Sequence, residues 1–252
     1  MIKNASDKLV AHRGYTNQYP ENTLLAIRAA LDAGAKNIEI DVQLTKDKQA
    51  VLFHDRNLSR LCQQSLAVHD YTYDELKKFS SYSPDRFADK YKGEKIPLLS
   101  EVVNLFKGHS EVKLFVELKR ISIESFSIDE VVDAVVPLVE PVKEQIVFIS
   151  FSIDMVKKLR NCTRYPVGVV IDSWAEAKEK EDTDLQSIDP EYFFCDIDTL
   201  PKDISLSLLQ SKIAVYECVD ATLAANVLKR GVSLVETFDI KKMIKEFQLN
   251  TG

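Results

Sequence analysis

Asn37–Leu44 reads NIEIDVQL, with an apolar residue at every second position and Asn37, Glu39, Asp41 and Gln43 between them. Side chains two apart share a face of a strand. Ile38, Ile40 and Val42 are therefore expected to meet helices, while Glu39 and Asp41 point together to the other side. A strand that buries carboxylates on one face and packs helices on the other belongs to a sheet with a functional interior.

Comparable runs recur outward from this stretch in both directions. Leu9-Val10-Ala11 precedes it, and AVLFHD (50–55) follows it. VKLFVELK (112–119), EQIVFIS (144–150), YPVGVVI (165–171), PEYFFCDI (190–197), KIAVYECV (212–219) and VSLVET (232–237) come after. Helical patterns separate them, among them DEVVDAVVPLVE (129–140), SIDMVKKLR (152–160) and ATLAANVLKR (221–230). Asn22 or Thr23 is expected to cap a first helix that Gly34 ends. Alternating strands and helices signal a parallel sheet with crossover helices. About eight such units in 252 residues predict a closed (β/α)8 TIM barrel rather than an open sheet. Residues 56–97, aromatic and highly charged, break the rhythm and are expected to form an insertion over the barrel mouth within a single domain, 1–252.

Composition narrows the function. The formal charge is −6, from 33 basic and 39 acidic residues, and no basic run stands out. A nucleic-acid surface is not expected. The N-terminal MIKNASDKLV has no apolar signal core, and no stretch is long enough to span a bilayer, so a cytoplasmic location is expected. Cys62, Cys162, Cys195 and Cys218 lie far apart and are read as free thiols, Cys195 and Cys218 in the core.

Chemistry concentrates at strand ends. Glu117 and Lys119 share a face, as Glu39 and Asp41 do. Inward charges are costly unless paired or bound to metal. At the C-terminal ends of barrel strands they face the place where barrel enzymes work. Three converging carboxylates, Glu39, Asp41 and Glu117, would repel one another unless a hard divalent cation lay between them. The alternative for each is a satisfied salt bridge or a rim position. His12 and His54 stand at other strand ends.

AHRGYTNQYPENT (11–23), IEIDVQLTKDKQAVLFHD (38–55), IPLLSEV (96–102) and FVELK (115–119) resemble, in order and spacing, the glycerophosphodiester phosphodiesterase family. VFISFS (147–152) and GVSLVETFD (231–239) extend the resemblance along nearly the whole chain. It implies a (β/α)8 barrel with a segment inserted after the second strand, and cleavage of small glycerophosphodiesters to glycerol phosphate and an alcohol. It implies one divalent metal ion, Mg²⁺ or Ca²⁺, on Glu39, Asp41 and Glu117. His12 and His54 would be the acid and base, and Arg13, Lys119, Glu21 and Asn22 would contact phosphate and substrate. For Glu21 and Asn22 helix capping is an equal alternative, and for Lys119 a salt bridge to Glu39 or Glu117. Gly14 is expected to let the chain turn close to the ligand.

Three other readings share these residues: a lysophospholipase D, a sphingomyelinase-D-like lipid phosphodiesterase, and a binding protein with a dead site. One departure bears on the leaving-group pocket. Related sequences often carry Trp-Thr in the seventh strand, whereas this chain has Tyr216-Glu217. Glu217 would either bind a cationic head group beside Phe151 or a metal, or pair with Lys119 or face the rim.

Overall fold

A computed structural model describes residues 5–174, 187–201 and 210–249. Nine strands are present among these: β1 (Leu9–His12), β2 (Asn37–Leu44), β3 (Ala50–Leu52), β4 (Lys113–Leu118), β5 (Ile146–Ser150), β6 (Val167–Ile171), β7 (Tyr192–Asp196), β8 (Lys212–Tyr216) and β9 (Leu234–Thr237). Eight pair in parallel in the order β1-β9-β8-β7-β6-β5-β4-β2, and β1 pairs with β2 to close the barrel. AVLFHD therefore supplies no barrel strand. Its Ala50–Leu52 folds back antiparallel onto Val42–Leu44 and lies outside the ring. Only four residues follow Thr45 before the chain returns, far too few for the crossover that a parallel neighbour requires.

The alternation read from sequence separates two apolar layers. Ile38, Ile40 and Val42 face outward into the layer shared with the helices. There the helices Leu99–Phe106, Ile128–Val139, Ile153–Cys162 and Ala221–Lys229 cover the strands. Inside, Val10, Phe115, Val147, Ile149, Phe194 and Leu234 fill the barrel floor. Phe115 meets Tyr192 and Phe194 edge-on, at 5.2 and 5.4 Å between ring centroids. Such edge contacts suit the ring quadrupole. The barrel is thus a packed core below and a polar mouth above.

α1 (Leu24–Asp32) shows how the first turn of chain is set. Thr23, not Asn22, is the N-cap, its hydroxyl accepting from the Ala26 N–H at 3.1 Å. This satisfies one of the orphan donors of the first turn. The stretch 56–97 carries three one-turn helices, Ser59–Cys62, Tyr73–Leu76 and Pro84–Phe87. Its apolar side chains, Leu58, Leu61, Val68, Leu76 and Ile96, pack against Val51 and Phe53 to make a small second core. It thus follows the β2–β3 hairpin and precedes β4. No helix among the described residues is long and apolar enough to cross a membrane. All four cysteines are free thiols, with Cys62, Cys195 and Cys218 buried and Cys162 exposed.

Candidate active site

Strand register brings the charged residues together. His12 is the neighbour of Glu39 across β1 and β2, and Asp41 is the neighbour of Glu117 across β2 and β4. One oxygen from each of Glu39, Asp41 and Glu117 lies within 4.8 Å of the others. All three carboxylates are buried. Like charges so close, out of water, make ionisation costly. Burial, then Asp41, Glu236 and Glu117, push the Glu39 carboxyl well above its usual range. Burial also pushes Glu117 up, although Lys119 opposes it. Asp41 goes the other way. Burial would raise it, but Lys119 and then Arg13 outweigh that and hold it low.

Two cations supply this compensation. Lys119 Nζ stands 3.1 Å from Asp41 Oδ1 and 2.7 Å from Glu117 Oε1. Arg13 Nε is 3.1 Å from Asp41 Oδ2 and Arg13 Nη1 is 3.0 Å from Glu21 Oε1. Lys119 therefore pairs with Asp41 and Glu117, whereas Glu39 accepts from the Arg13 backbone N–H at 3.1 Å and has His12 Nε2 3.7 Å from its Oε2. Its Oε1 is buried with no hydrogen-bond partner. Asp41 Oδ1 and Glu117 Oε1 also have none of acceptable geometry, although the Lys119 ammonium is near.

The loop after β1 reaches this cluster through unusual backbone. Arg13 and Asn22 have φ of +59° and +54°, a region that costs a residue with a Cβ energy and persists only where the surroundings hold it. Asn22 spends its amide on Asp41: Nδ2 donates to Oδ2 at 2.8 Å, and Oδ1 accepts from the Asp41 N–H at 3.1 Å. Gly14, at φ +89°, lets the loop pack closely on α1: a Cβ there would fall 2.7 Å from the Ala26 carbonyl carbon.

His12 is buried, its ring stacked on Phe238 at 5.2 Å. Burial, reinforced by the Arg13 charge, lowers its pKa well below the usual value. His54 lies on the loop after β3, with its side chain about one-third exposed. Its Nδ1 is 2.8 Å from Asp55 Oδ1. Arg60, from the first one-turn helix of the insertion, joins the two loops. It donates to Glu21 through Nη1 at 2.7 Å and Nη2 at 2.8 Å, and to Asp55 through Nε at 2.7 Å. A chain of charge-assisted bonds therefore runs Arg13–Glu21–Arg60–Asp55–His54. Glu21 is held by arginines rather than used as a helix cap.

Two cavities meet at this point. The inner one, about 220 Å³, is lined by His12, Arg13, Glu39, His54, Glu117 and Lys119, by Ile149, Phe151, Val170, Phe194 and Tyr216, and by the carboxylates Asp172, Glu217 and Glu236. The outer one, about 470 Å³, is lined by Arg13, Thr16, Asn17, Glu21, His54, Arg60, Arg86 and Phe238, among others. Glu217 borders both. It is exposed, at φ +66°, and makes no ion pair among the described residues, so it does not pair with Lys119. Phe151 faces the chain's own cations, with Lys119 Nζ 5.8 Å and the Arg120 guanidinium 5.1 Å from its ring centroid. Tyr216 donates its hydroxyl to the Ile171 carbonyl at 2.9 Å.

Three residues of the site escape the sequence reading. Asp55 and Arg60 acquire their partners only through folding. Glu236 was accessible, because Leu234 and Glu236 alternate in VSLVET as Glu39 and Asp41 do in β2. It is buried, with Oε2 3.8 Å from His12 Nε2. Burial, then Glu117, raises its pKa well above the usual range.

A glycerophosphodiester phosphodiesterase of Bacillus altitudinis is 44% identical over 113 residues, covering 44% of this chain and 45% of that protein. One from Caldanaerobacter subterraneus is 40% identical over 111 residues, again 44% of each. These alignments span less than half the relatives' length. An Oleispira antarctica phosphodiesterase, solved with the product sn-glycerol-3-phosphate, superposes with a TM-score of 0.82 at 24% identity over 96% of both chains. A Thermotoga maritima glycerophosphodiester phosphodiesterase does so with a TM-score of 0.74 at 25% identity, covering 94% of this chain and 96% of that one. The model described as glycerophosphoryl diester phosphodiesterase family matches residues 12–237, from His12 to the end of the last barrel strand, and the chain belongs to that family.

Proposed function

We propose that this protein hydrolyses glycerophosphodiesters to sn-glycerol 3-phosphate and an alcohol, using one divalent metal ion. The observation that carries the reading is the convergence of Glu39, Asp41 and Glu117, all buried and with Glu39 Oε1 lacking a hydrogen-bond partner, between Arg13, Lys119 and two histidines. An all-oxygen donor set of this kind fits Mg²⁺ or Ca²⁺. When bound, such an ion supplies positive charge against phosphate oxygens and against the three carboxylates. The product named for the Oleispira protein and the activity named for the relatives support the same substrate class.

The chain's own residues do the rest. Arg13 presents a planar cation to phosphate and Lys119 a point charge. Burial keeps His12 neutral, as a base requires. Asp55 orients His54 by engaging Nδ1, which leaves Nε2 for proton transfer. Glu21 and Asn22 hold Arg13 and Asp41 in place. The glycerol 2-hydroxyl is the nucleophile. It gives its proton to His12 and bonds to phosphorus, while the alcohol leaves with a proton from His54. The product is a 1,2-cyclic phosphate, which water opens with the two histidines in reversed roles. Proximity of the hydroxyl to phosphorus is worth several kcal/mol.

A panel of glycerophosphocholine, glycerophosphoethanolamine and glycerophosphoglycerol, assayed with and without EDTA, tests this. Cleavage is expected with Mg²⁺ or Ca²⁺ and is expected to vanish with EDTA. Full turnover in metal-free buffer would remove the metal from the mechanism. A substrate lacking the 2-hydroxyl is expected to react far more slowly, and equal rates would exclude the cyclic intermediate.

A further inference from the structure

Glu236 stands outside both the three-carboxylate set and the phosphate-facing cations, yet it is only 3% exposed. Val10 is its neighbour in the β1–β9 register, so its side chain enters the barrel one position below His12. Its backbone is held where it is by the Cys218 N–H, which donates to the Glu236 carbonyl at 2.9 Å. Oε2 lies 3.8 Å from His12 Nε2, and Oε1 has no hydrogen-bond partner.

A buried acceptor with no donor is costly. Among the described residues none donates to Oε1. Tyr216, beside it on β8, has committed its hydroxyl to the Ile171 carbonyl, and Val10 and Leu234 below are apolar. Glu236 does line the inner cavity. An occupant of that cavity therefore meets the carboxyl through Oε2, the oxygen nearer His12. The spacing narrows its chemistry. Oε2 and His12 Nε2 are two acceptors 3.8 Å apart; each bonding a hydroxyl oxygen at about 2.8 Å, they match adjacent hydroxyls on one short carbon chain.

We propose that Glu236 is a specificity-determining residue that accepts a hydrogen bond from the terminal hydroxyl of the substrate's glycerol, while His12 takes the neighbouring 2-hydroxyl. This rests on the reaction described above and adds a selection rule to it. A diester acylated at the terminal oxygen has no proton there, and it leaves Glu236 buried and unsatisfied. The pair His12–Glu236 thus reads a free vicinal diol and turns away lyso-lipids. The small inner cavity, with Ile149, Val170 and Phe194 in its wall, acts in the same direction.

The test uses the full chain with excess Mg²⁺ and compares sn-glycerol 3-phosphate with its terminal-deoxy analogue by calorimetry. In parallel, kcat/KM is measured for glycerophosphocholine, its terminal-deoxy analogue and lysophosphatidylcholine. The wild type is expected to favour the hydroxyl-bearing member of each pair by about ten- to a hundredfold, as for loss of a donor to a buried group. Glu236→Leu is expected to abolish that preference. Glu236→Gln keeps an acceptor carbonyl and is expected to keep most of it. A wild type that does not discriminate, or a Leu variant that discriminates fully, overturns the proposal. Absence of all turnover would defeat the catalytic reading instead, and the calorimetric comparison would still decide the role of Glu236.

Discussion

Glu39 is the residue on which the site turns. It is surrounded by Asp41, Glu117 and Glu236, and among the described residues it forms no ion pair with a lysine or arginine. In the metal-free protein it is a liability, because burial and like charge both oppose its ionised form. Glu39→Gln is therefore expected to raise the melting temperature of the metal-free protein by a few degrees. The same change is expected to remove divalent-cation affinity measured by calorimetry. A variant that binds metal normally would exclude Glu39 as a ligand. The histidines differ from each other in setting. His12 is enclosed and stacked on Phe238, and His54 is partly solvated and held by Asp55. His12→Ala and His54→Ala are each expected to lower kcat/KM by at least about 10²-fold, the usual effect of losing a general acid or base. A variant retaining near-wild-type rate removes that histidine from the mechanism.

Two loops and the insertion act as one element because Arg60 clamps them. Its fork-like guanidinium bonds Glu21 on the β1–α1 loop and Asp55 on the loop after β3. A lysine cannot make these bidentate contacts. Arg60→Lys is expected to lower kcat more than the melting temperature, with His54 less well oriented; an unchanged kcat would make the clamp purely structural. The clamp also sets an acid limit. For Asp55, burial acts upward, but bonds from His54 and Arg60 outweigh it and lower the pKa. For Glu21, burial is outweighed by Arg60 and Arg13. A carboxyl whose pKa is depressed on folding contributes stability above its unfolded value, about 4, and loses it as pH falls through the folded value. Melting temperature should fall on acidification below about pH 4, and Asp55→Asn should flatten that limb. At the start of α1, Thr23→Ala is expected to cost about 1 kcal/mol through loss of the cap. Gly14→Ala should cost more, since its Cβ would strike the backbone of Ala26 at positive φ.

At the scale of the whole molecule, a closed barrel converts local register into a single charged mouth. A ligand that binds only the folded state stabilises it by about 2.7 kcal/mol at one hundred times its Kd. Mg²⁺ or Ca²⁺ is accordingly expected to raise the melting temperature of the wild type by several degrees, and to leave Glu117→Ala unmoved. Much of this molecule was legible in the chain. The two-residue period of NIEIDVQL separated Ile38, Ile40 and Val42 from Glu39 and Asp41, and the alternation of strands and helices required a parallel sheet. Period reports which face a side chain takes, because the pleat is a local property of the backbone. AVLFHD was misleading for the same reason. A short apolar run reads alike whether it joins the barrel or folds back on its neighbour, and only the brief connection after Thr45 decided between them. Partner choice was likewise out of reach. Arg60 lies 39 positions from Glu21, and nothing local to either indicates that they meet. Glu236 lies within reach of the period, but its burial and its oxygen without a donor are properties of the folded state. Sequence by itself determined the inward face of each strand, hence the carboxylates and the fold class. Tertiary structure alone decided which charges neutralise one another, because ion pairing depends on distances that barrel closure sets and chain order does not.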